Sequence, residues 1–395
     1  MATCKSWMKY SWGGHYCENP PMEKDPEGLC ILHSLASEKD KNAFDQALKS
    51  KLDQEDFDFR EVFFPGPISF SRQKFKQSAN FHGAKFAGWA DFRETEFLAG
   101  ADFSHVRFGQ AALFEKARFA GQVLLKNTEI AGEADFRSAS FEDLAIFQGI
   151  NGQRETTGRL PLIAYFQDLN FGPQGGLRFQ DLSLGLASFL GTDMRRLEFH
   201  NVRWYSYQGR QVVYDEILLR GKGGPYVLNL APWRESAHDY EELCARVEEL
   251  YRYLKLDYEH EGDLKQAGDF HYGEMEMHRR ANFWRRWFPL SWYNLYRILS
   301  GYGERPLRAL GWLLGLVAGL ALELQWLGLK TAEGSRAGFT DSLIYLLDHM
   351  SFTRPEWPKP ITATGGLVAG VSHFLILGQA ALFLLAIRNR LGRRH

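Results

Sequence analysis

Between residues 70 and 147 phenylalanine recurs with a strictness that few folds tolerate. Phe70, Phe75, Phe81, Phe86, Phe92, Phe97, Phe103, Phe108, Phe114 and Phe119 are followed at the same spacing by Leu125, Ile130, Phe136, Phe141 and Phe147. Steps of five and six alternate, so the true unit is eleven residues. Two places before successive rungs stands a small or β-branched residue: Ala79, Ala84, Ala90, Thr95, Ala101, Val106, Ala112, Ala117. Neither a helical period of about 3.6 nor a strand period of about 2 fits this spacing. A short fixed period means repeat architecture, in which each unit buries its apolar face only by stacking on its neighbours. One large and one small inward residue per step suits a narrow square coil. Phe lies at the middle of each side, and Gly, Ser, Asp and Lys turn corners or face water.

The written pattern is A-D/N-F-x-x-A-x-F-x-x-x, as in Ala90-Asp91-Phe92 and Ala101-Asp102-Phe103. Over residues 57–204 it resembles the pentapeptide-repeat family, and the resemblance implies a right-handed quadrilateral β-helix. The family's central Leu or Phe maps onto the rungs above. The five-six alternation departs from the family's pattern and implies slightly larger coils on two sides. The ladder pauses at 148–165, where Gly149, Gly152 and Gly158 punctuate a polar run that reads as an inserted loop. Rungs resume at Phe166, Phe171, Phe179, Leu184, Phe189, Met194, Phe199 and Trp204, five apart from Phe179 onward. About 25 rungs make about six coils, and strands about 4.8 Å apart make a rod about 30 Å long. Asp91, Asp102 and Asp135 recur because the repeat recurs, and read as solvated or corner-bonding carboxylates.

The chain has 395 residues, enough for two or three domains. Its 47 basic and 48 acidic residues balance, so no global charge argues for nucleic acid. Four cysteines are too few for a disulfide framework. The N-terminus carries no apolar run, so no cleaved signal peptide is expected. Three of the cysteines fall in residues 1–35, which form a zinc-knuckle-like segment. Cys4, Cys17, Cys30 and His33 are the candidate ligands, with the C-x2-H spacing of Cys30 and His33 as the chelating pair. His15 is a rival fourth ligand, and reduced thiols beside a surface His are the alternative. Four protein ligands leave no open position, so such a zinc is structural. In residues 36–56, Phe44, Leu48 and Leu52 recur at helical spacing. They predict a capping helix over the open strand edges of the coil.

Residues 205–282 read as a linker followed by a helical hairpin. The stretch 205–234 looks irregular. A helix opening at Glu235 then carries Leu243, Val247, Leu250, Leu254 and Tyr258 as one apolar stripe. Gly262 suits the position after its end, Asp263 the cap of a second helix through Ala267, Phe270 and Met277. Tyr251, Leu254, Tyr258, Gly262, Asp263 and Ala267 together resemble one tetratricopeptide-like unit, too little for a superhelical groove. His271, Glu274 and His278 chelate or lie on a solvated face. The solvated face is favoured, since no Cys or second carboxylate converges on them.

In residues 283–308, with Arg279 and Arg280 just before them, arginines alternate with Trp284, Trp287, Trp292, Tyr293 and Tyr296. Such a mixture suits an interfacial helix on anionic lipid. Residues 309–395 follow as a two-transmembrane pore-like domain. Residues 309–329 and 365–387 are each apolar for the thickness of a bilayer. Basic flanks precede the first span and follow the second, so both termini are expected in the cytoplasm, the protein lying in the inner membrane. Between the spans a short helix is predicted, with its cap at Thr340 and Leu343, Ile344, Leu346 and Leu347 within it. The polar segment Ser351, Phe352, Thr353 and Arg354 follows. This layout resembles the two-helix ion-channel fold, with Ser351 to Arg354 where that fold places its filter. The potassium motif TVGYG is absent, so potassium selectivity is not carried over, and an Arg facing the pore would repel cations. Glu323, His373 and Gln379 are polar residues inside the spans. Glu323 either snorkels to the outer interface or lines a pore. His373 either titrates in a pore or bonds a neighbouring helix.

The expectation is therefore a multidomain β + α membrane protein: an ion channel, oligomeric and expected to be tetrameric, gated or informed by a cytoplasmic β-helix. The alternative is a membrane-tethered scaffold that holds a protein partner on a flat face of the rod. DNA mimicry needs a strongly acidic surface, which the mixed charges of the ladder do not offer. No Ser/His/Asp set, phosphate loop or open metal site is visible, so no enzyme is expected.

Overall fold

The computed structural model describes residues 4–5, 17, 19–23, 25–36, 39–151, 162–221, 237–282, 288, 291–327, 329–330, 334–350 and 359–391. The chain divides into two compact units, Met1–Pro232 and Trp233–His395.

The first unit is a β-solenoid of about six turns, built from four parallel sheets. Two elevens make one coil: Ala79 pairs with Ala101, and Lys85 with Arg107, each 22 positions on. The last coil is tighter. Leu177 pairs with Leu197, 20 positions on, as the five-residue spacing after Phe179 requires. The predicted loop falls between the strands Leu144–Gln148 and Ile163–Tyr165, and its residues 152–161 lie outside the described residues.

Parallel in-register coils place each ring over the ring one coil away. Phe70, Phe92, Phe114, Phe136, Phe166 and Phe189 form one unbroken stack, with centroids 5.2, 4.9, 4.8, 5.3 and 5.4 Å apart. That is close to the strand spacing of about 4.8 Å, so the rings stack without straining the ladder. Rings of adjacent stacks meet edge-on, as Phe81 and Phe92 do at 84°. Leu125 and Ile130 fill rung positions without a ring, and both are buried. Of the later rungs, Phe171 is only half-buried. Thr95 and Thr128 are buried in small-residue positions because their hydroxyls donate to the carbonyls of Phe70 and Phe103, at 2.8 and 2.9 Å.

The corners carry a second period. Glu61, Arg72, Gly83, Glu94, His105, Lys116, Asn127, Ser138 and Gly149, eleven apart, all have positive φ. Most are not glycine, and each such residue pays the left-handed penalty for a turn that the coil geometry imposes. The recurring aspartates tie these corners. Asp91 accepts from the Arg93 amide and clamps its guanidinium, and Asp135 does the same to Arg137. Asp102 accepts from the Ser104 amide. At other corners coil presses on coil: a Cβ on Gly121 would stand 1.3 Å from the Ala99 carbonyl oxygen.

Helix α1 (Lys41–Asp53), shorter than the predicted 36–56, is capped by Asp40 and buries Phe44 and Leu48. Phe44 meets Phe64 of the first coil edge-on. At the far end, residues read as irregular are ordered. Tyr205–Tyr207 pairs antiparallel with Arg210–Val212, and α2 (Tyr214–Leu219) follows. The turn between the strands uses Gln208 and Gly209, both with positive φ. Gln-Gly is a weak hairpin signal, and a six-residue helix is too short to show a period.

The second unit is helical. α3 (Ala237–Glu261) and α4 (Leu264–Arg280) form the predicted hairpin. Gly262 takes positive φ, and the Asp263 carboxylate accepts from the Gln266 amide. The helices approach at Gly273, where a Cβ would lie 2.5 Å from the Tyr251 ring. The single basic and aromatic helix expected over 283–308 is instead interrupted. α5 (Trp292–Ser300) ends where Gly301, Tyr302 and Gly303 all turn left-handed, and α6 (Pro306–Leu327) starts on a proline. Residues 283–287 and 289–290 lie outside the described residues. α7 (Phe339–Met350) and α8 (Ala363–Leu391) complete the unit.

Candidate metal centre and membrane hairpin

The three thiols and the imidazole come together. One ligand atom from each of Cys4, Cys17, Cys30 and His33 lies within 4.8 Å of the others. Cys17 Sγ is 3.7 Å from Cys30 Sγ, and His33 Nδ1 is 3.6 Å from Cys4 Sγ and 3.1 Å from Cys30 Sγ. A tetrahedral zinc with bonds of about 2.3 Å to sulfur and about 2.0 Å to nitrogen needs edges of about 3.8 and about 3.5 Å. The donor set therefore fits such an ion, and its soft thiolates suit zinc. His15 lies outside the described residues.

Local structure brings the ligands in. Asp25 accepts from the amides of Glu27 and Leu29, forming a turn that Gly28 completes at positive φ. The amides of His33 and Ser34 both donate to the Cys30 carbonyl, which folds His33 back over the Cys30 sulfur. The Cys30 amide donates to Cys4 Sγ at 3.2 Å. Hydrogen bonds from Cys17 and Cys30 hold the Cys4 thiol far below its ordinary range. His33 Nε2 lies 3.1 Å from the Arg60 carbonyl oxygen. A carbonyl only accepts, so Nε2 carries the hydrogen and Nδ1 turns its lone pair toward the sulfurs, ready to ligate a metal. Nearby, buried Lys39 donates to the carbonyls of Leu32 and Phe63, with the Phe44 and Phe63 rings about it. Burial pushes its pKa down to about 8, against the opposing charges of Cys30 and Asp25.

The other chelating reading does not assemble. Glu274 pairs with Arg252, Lys255 and His271, and His278 sits between Glu248 and the Tyr293 hydroxyl. Among the described residues the Cys/His cluster is the one group arranged to hold a metal.

In the second unit, α6 and α8 are long and apolar enough to cross a membrane. Only 22% of the apolar window of each is buried within the chain, whereas the core helix of a soluble protein is mostly buried. α7 has 12 residues, too short to cross, and packs on both. Leu346 and Tyr345 enter a core with Leu320, Leu324, Ala369 and Ile376, while Ile344 and Leu347 are exposed. Thr340 is not the cap of α7. The helix already begins at Phe339, and the Gly338 amide donates to the Asp341 carboxylate, which takes the capping role. The chain closes around α7 by an antiparallel pair, Leu329–Lys330 against Lys359–Pro360. Ser351, Phe352, Thr353 and Arg354 lie outside the described residues. Of the polar residues in the apolar helices, Glu323 is exposed, His373 half-buried and Gln379 buried. Gln379 Nε2 donates to the carbonyls of Ala309 and Leu299, at 2.9 and 3.3 Å, tying α8 to α6 and α5.

A further cluster escaped the sequence reading. Glu276, 2% exposed, receives Arg279, Arg280 and the Tyr302 hydroxyl. Burial alone would raise its pKa, but the hydrogen bond from Arg279 and the charges of both arginines pull it down to about 2. The i, i+3, i+4 spacing of Glu276, Arg279 and Arg280 was visible, but nothing marked that face as buried.

Residues 59–107 and, overlapping them, 70–118 match a family model described as pentapeptide repeats (9 copies). No curated protein matches the chain. No solved structure matches it either. The matched residues are those of the most regular stacking, so the sequence repeat and the solenoid are one feature: this chain carries pentapeptide repeats wound into a β-solenoid.

Proposed function

We propose that this protein is a subunit of an oligomeric membrane ion channel, with α6 and α8 as its spans and the pentapeptide-repeat solenoid as its sensing or gating part. One observation carries the reading. A helix too short to cross lies folded between two apolar helices and packed on both, within a loop closed at its base. A plain two-helix anchor has no use for such an insertion. Exposed Glu323 adds support, because a carboxylate facing lipid is costly and a carboxylate facing a water-filled path is not. Two spans cannot enclose a pore, so the reading requires several copies, four being the expected number. Membrane lipid and ions are its partners, both termini lie in the cytoplasm, and no catalytic step is assigned. Zinc at Cys4, Cys17, Cys30 and His33 is structural, with no open position for chemistry.

The test is ion flux into liposomes, with Arg354→Ala and Glu323→Gln beside the wild type and particle size measured in detergent. Oligomers whose flux changes in the variants support the channel. A well-inserted monomer without flux overturns it and leaves the tethered scaffold.

A further inference from the structure

We infer that the Cys/His centre is the lock on the solenoid's first open strand edge, so that metal loading and edge protection are a single equilibrium. The inference rests on the metal reading above.

The strand Phe63–Phe64 is the end strand of its sheet, paired on one side only with Lys85–Phe86. An end strand of this kind presents amides and carbonyls that invite another chain. Here they are taken. The Phe63 amide donates to the Leu32 carbonyl at 2.9 Å. The Phe63 carbonyl accepts from Lys39 Nζ at 2.9 Å, and the Arg60 carbonyl from His33 Nε2 at 3.1 Å. All three partners lie in residues 32–39, which start just past Cys30 and include the ligand His33. Helix α1 contributes differently: it places Phe44 against Phe64 and so plugs the core of the coil.

Among its described residues the covering segment has little of its own to hold it in place. Cys4, Leu29, Cys30 and Leu32 are its buried apolar residues among those described before Ser34. A segment with so small a core takes its folding energy from the metal. The imidazole joins the two events. Ligation through Nδ1 keeps the hydrogen on Nε2, and that hydrogen is the one donated to Arg60. Without metal the ring is free to change tautomer and turn, the turn at Cys30–His33 loses its anchor, and Leu32 no longer holds the Phe63 amide.

The test is amide hydrogen exchange on the full chain in detergent, with metal content determined by elemental analysis. Wild-type protein is measured as isolated, after treatment with a zinc chelator, and after zinc is returned. Chelation should raise exchange at Phe63 at least tenfold, zinc should restore it, and residues 103–119 should not change. Lys39→Met should keep the metal and still show the chelator response at Phe63. One bound metal whose removal leaves Phe63 protected would overturn the inference while leaving the metal reading intact. Increased exchange through residues 103–119 as well would also overturn it, because the metal would then hold the whole coil. Failure to bind zinc at all would remove the metal reading itself.

Discussion

The interior of the solenoid and the polar hub of the helical unit solve the same problem in opposite ways. In the stacked coils of the solenoid the buried groups repeat. Phe103 stacks on Phe81, Thr95 and Thr128 bond equivalent carbonyls, and Asp91 and Asp135 clamp equivalent arginines. A position is defined by its place in the coil, so Leu125 and Ile130 serve where Phe is the rule. In the helical unit each buried polar group is singular. Glu276 gathers Arg279, Arg280 and Tyr302, an arrangement without a second copy among the described residues of the helical unit; its nearest likeness, buried Glu216 between Arg210 and Arg220, lies in the first unit. Repetition makes single residues replaceable by their like. Singularity makes them irreplaceable, even by a close relative.

Four measurements break or sharpen that contrast. Phe103→Ala in the middle of the stack should cost about 3–5 kcal/mol, and Phe103→Leu only about 1, measured by denaturant unfolding of the solenoid. Equal costs for the two would show that the stack, not the coil position, carries the energy. Glu276→Ala leaves two arginines without their counter-charge and should cost about 3 kcal/mol or more. Thermal unfolding followed through helix content would detect it, and Glu276→Asp should recover little if geometry matters as argued. If Asp restores full stability, the hub is a loose charge cloud.

The third concerns pH, because two buried carboxylates have been moved in opposite directions. Burial raises Asp215 to about 6, against hydrogen bonds from Ser188 and the Phe189 amide. A carboxylate raised in the fold contributes stability that is full below its ordinary pKa and is lost as pH rises through about 6. Glu276, lowered to about 2, contributes stability present above its ordinary pKa and lost as pH falls through about 2. Acidification from pH 7 to 4.5 should therefore stabilise the C-terminal end of the solenoid, by about 2 kcal/mol, before the hub is touched. Asp215→Asn should flatten that rise, and an unchanged rise would place its source elsewhere. The smallest effect is at the corners. Lys116→Gly relieves a left-handed non-glycine residue and should stabilise by about 0.5–1 kcal/mol, since glycine's own chain entropy takes back part of the gain.

The solenoid's coil length and its core were legible because a period sums the same weak preference many times over. The helical hairpin was legible from Gly262 and Asp263, whose conformational roles are local. The left-handed corners were not, although Gly83, Asn127 and Gly149 marked three of them, because Glu, Arg, His and Lys at the same place masked the signal. The break at Gly301–Tyr302–Gly303 was written in the chain as Gly-Tyr-Gly before a proline, but the run of arginines and aromatics across it hid the boundary.

By itself the sequence determined how the chain coils, which stretches are apolar enough for a bilayer, and which residue types are available as ligands. Those follow from patterns confined to a few neighbouring residues. Only the tertiary structure decided that Cys4, Cys17, Cys30 and His33 meet, that Arg60 selects the tautomer of His33, and that Glu276 is buried beneath two arginines and Tyr302. Each depends on partners supplied by turns and helices far along the chain, and no local preference encodes where distant segments come to rest.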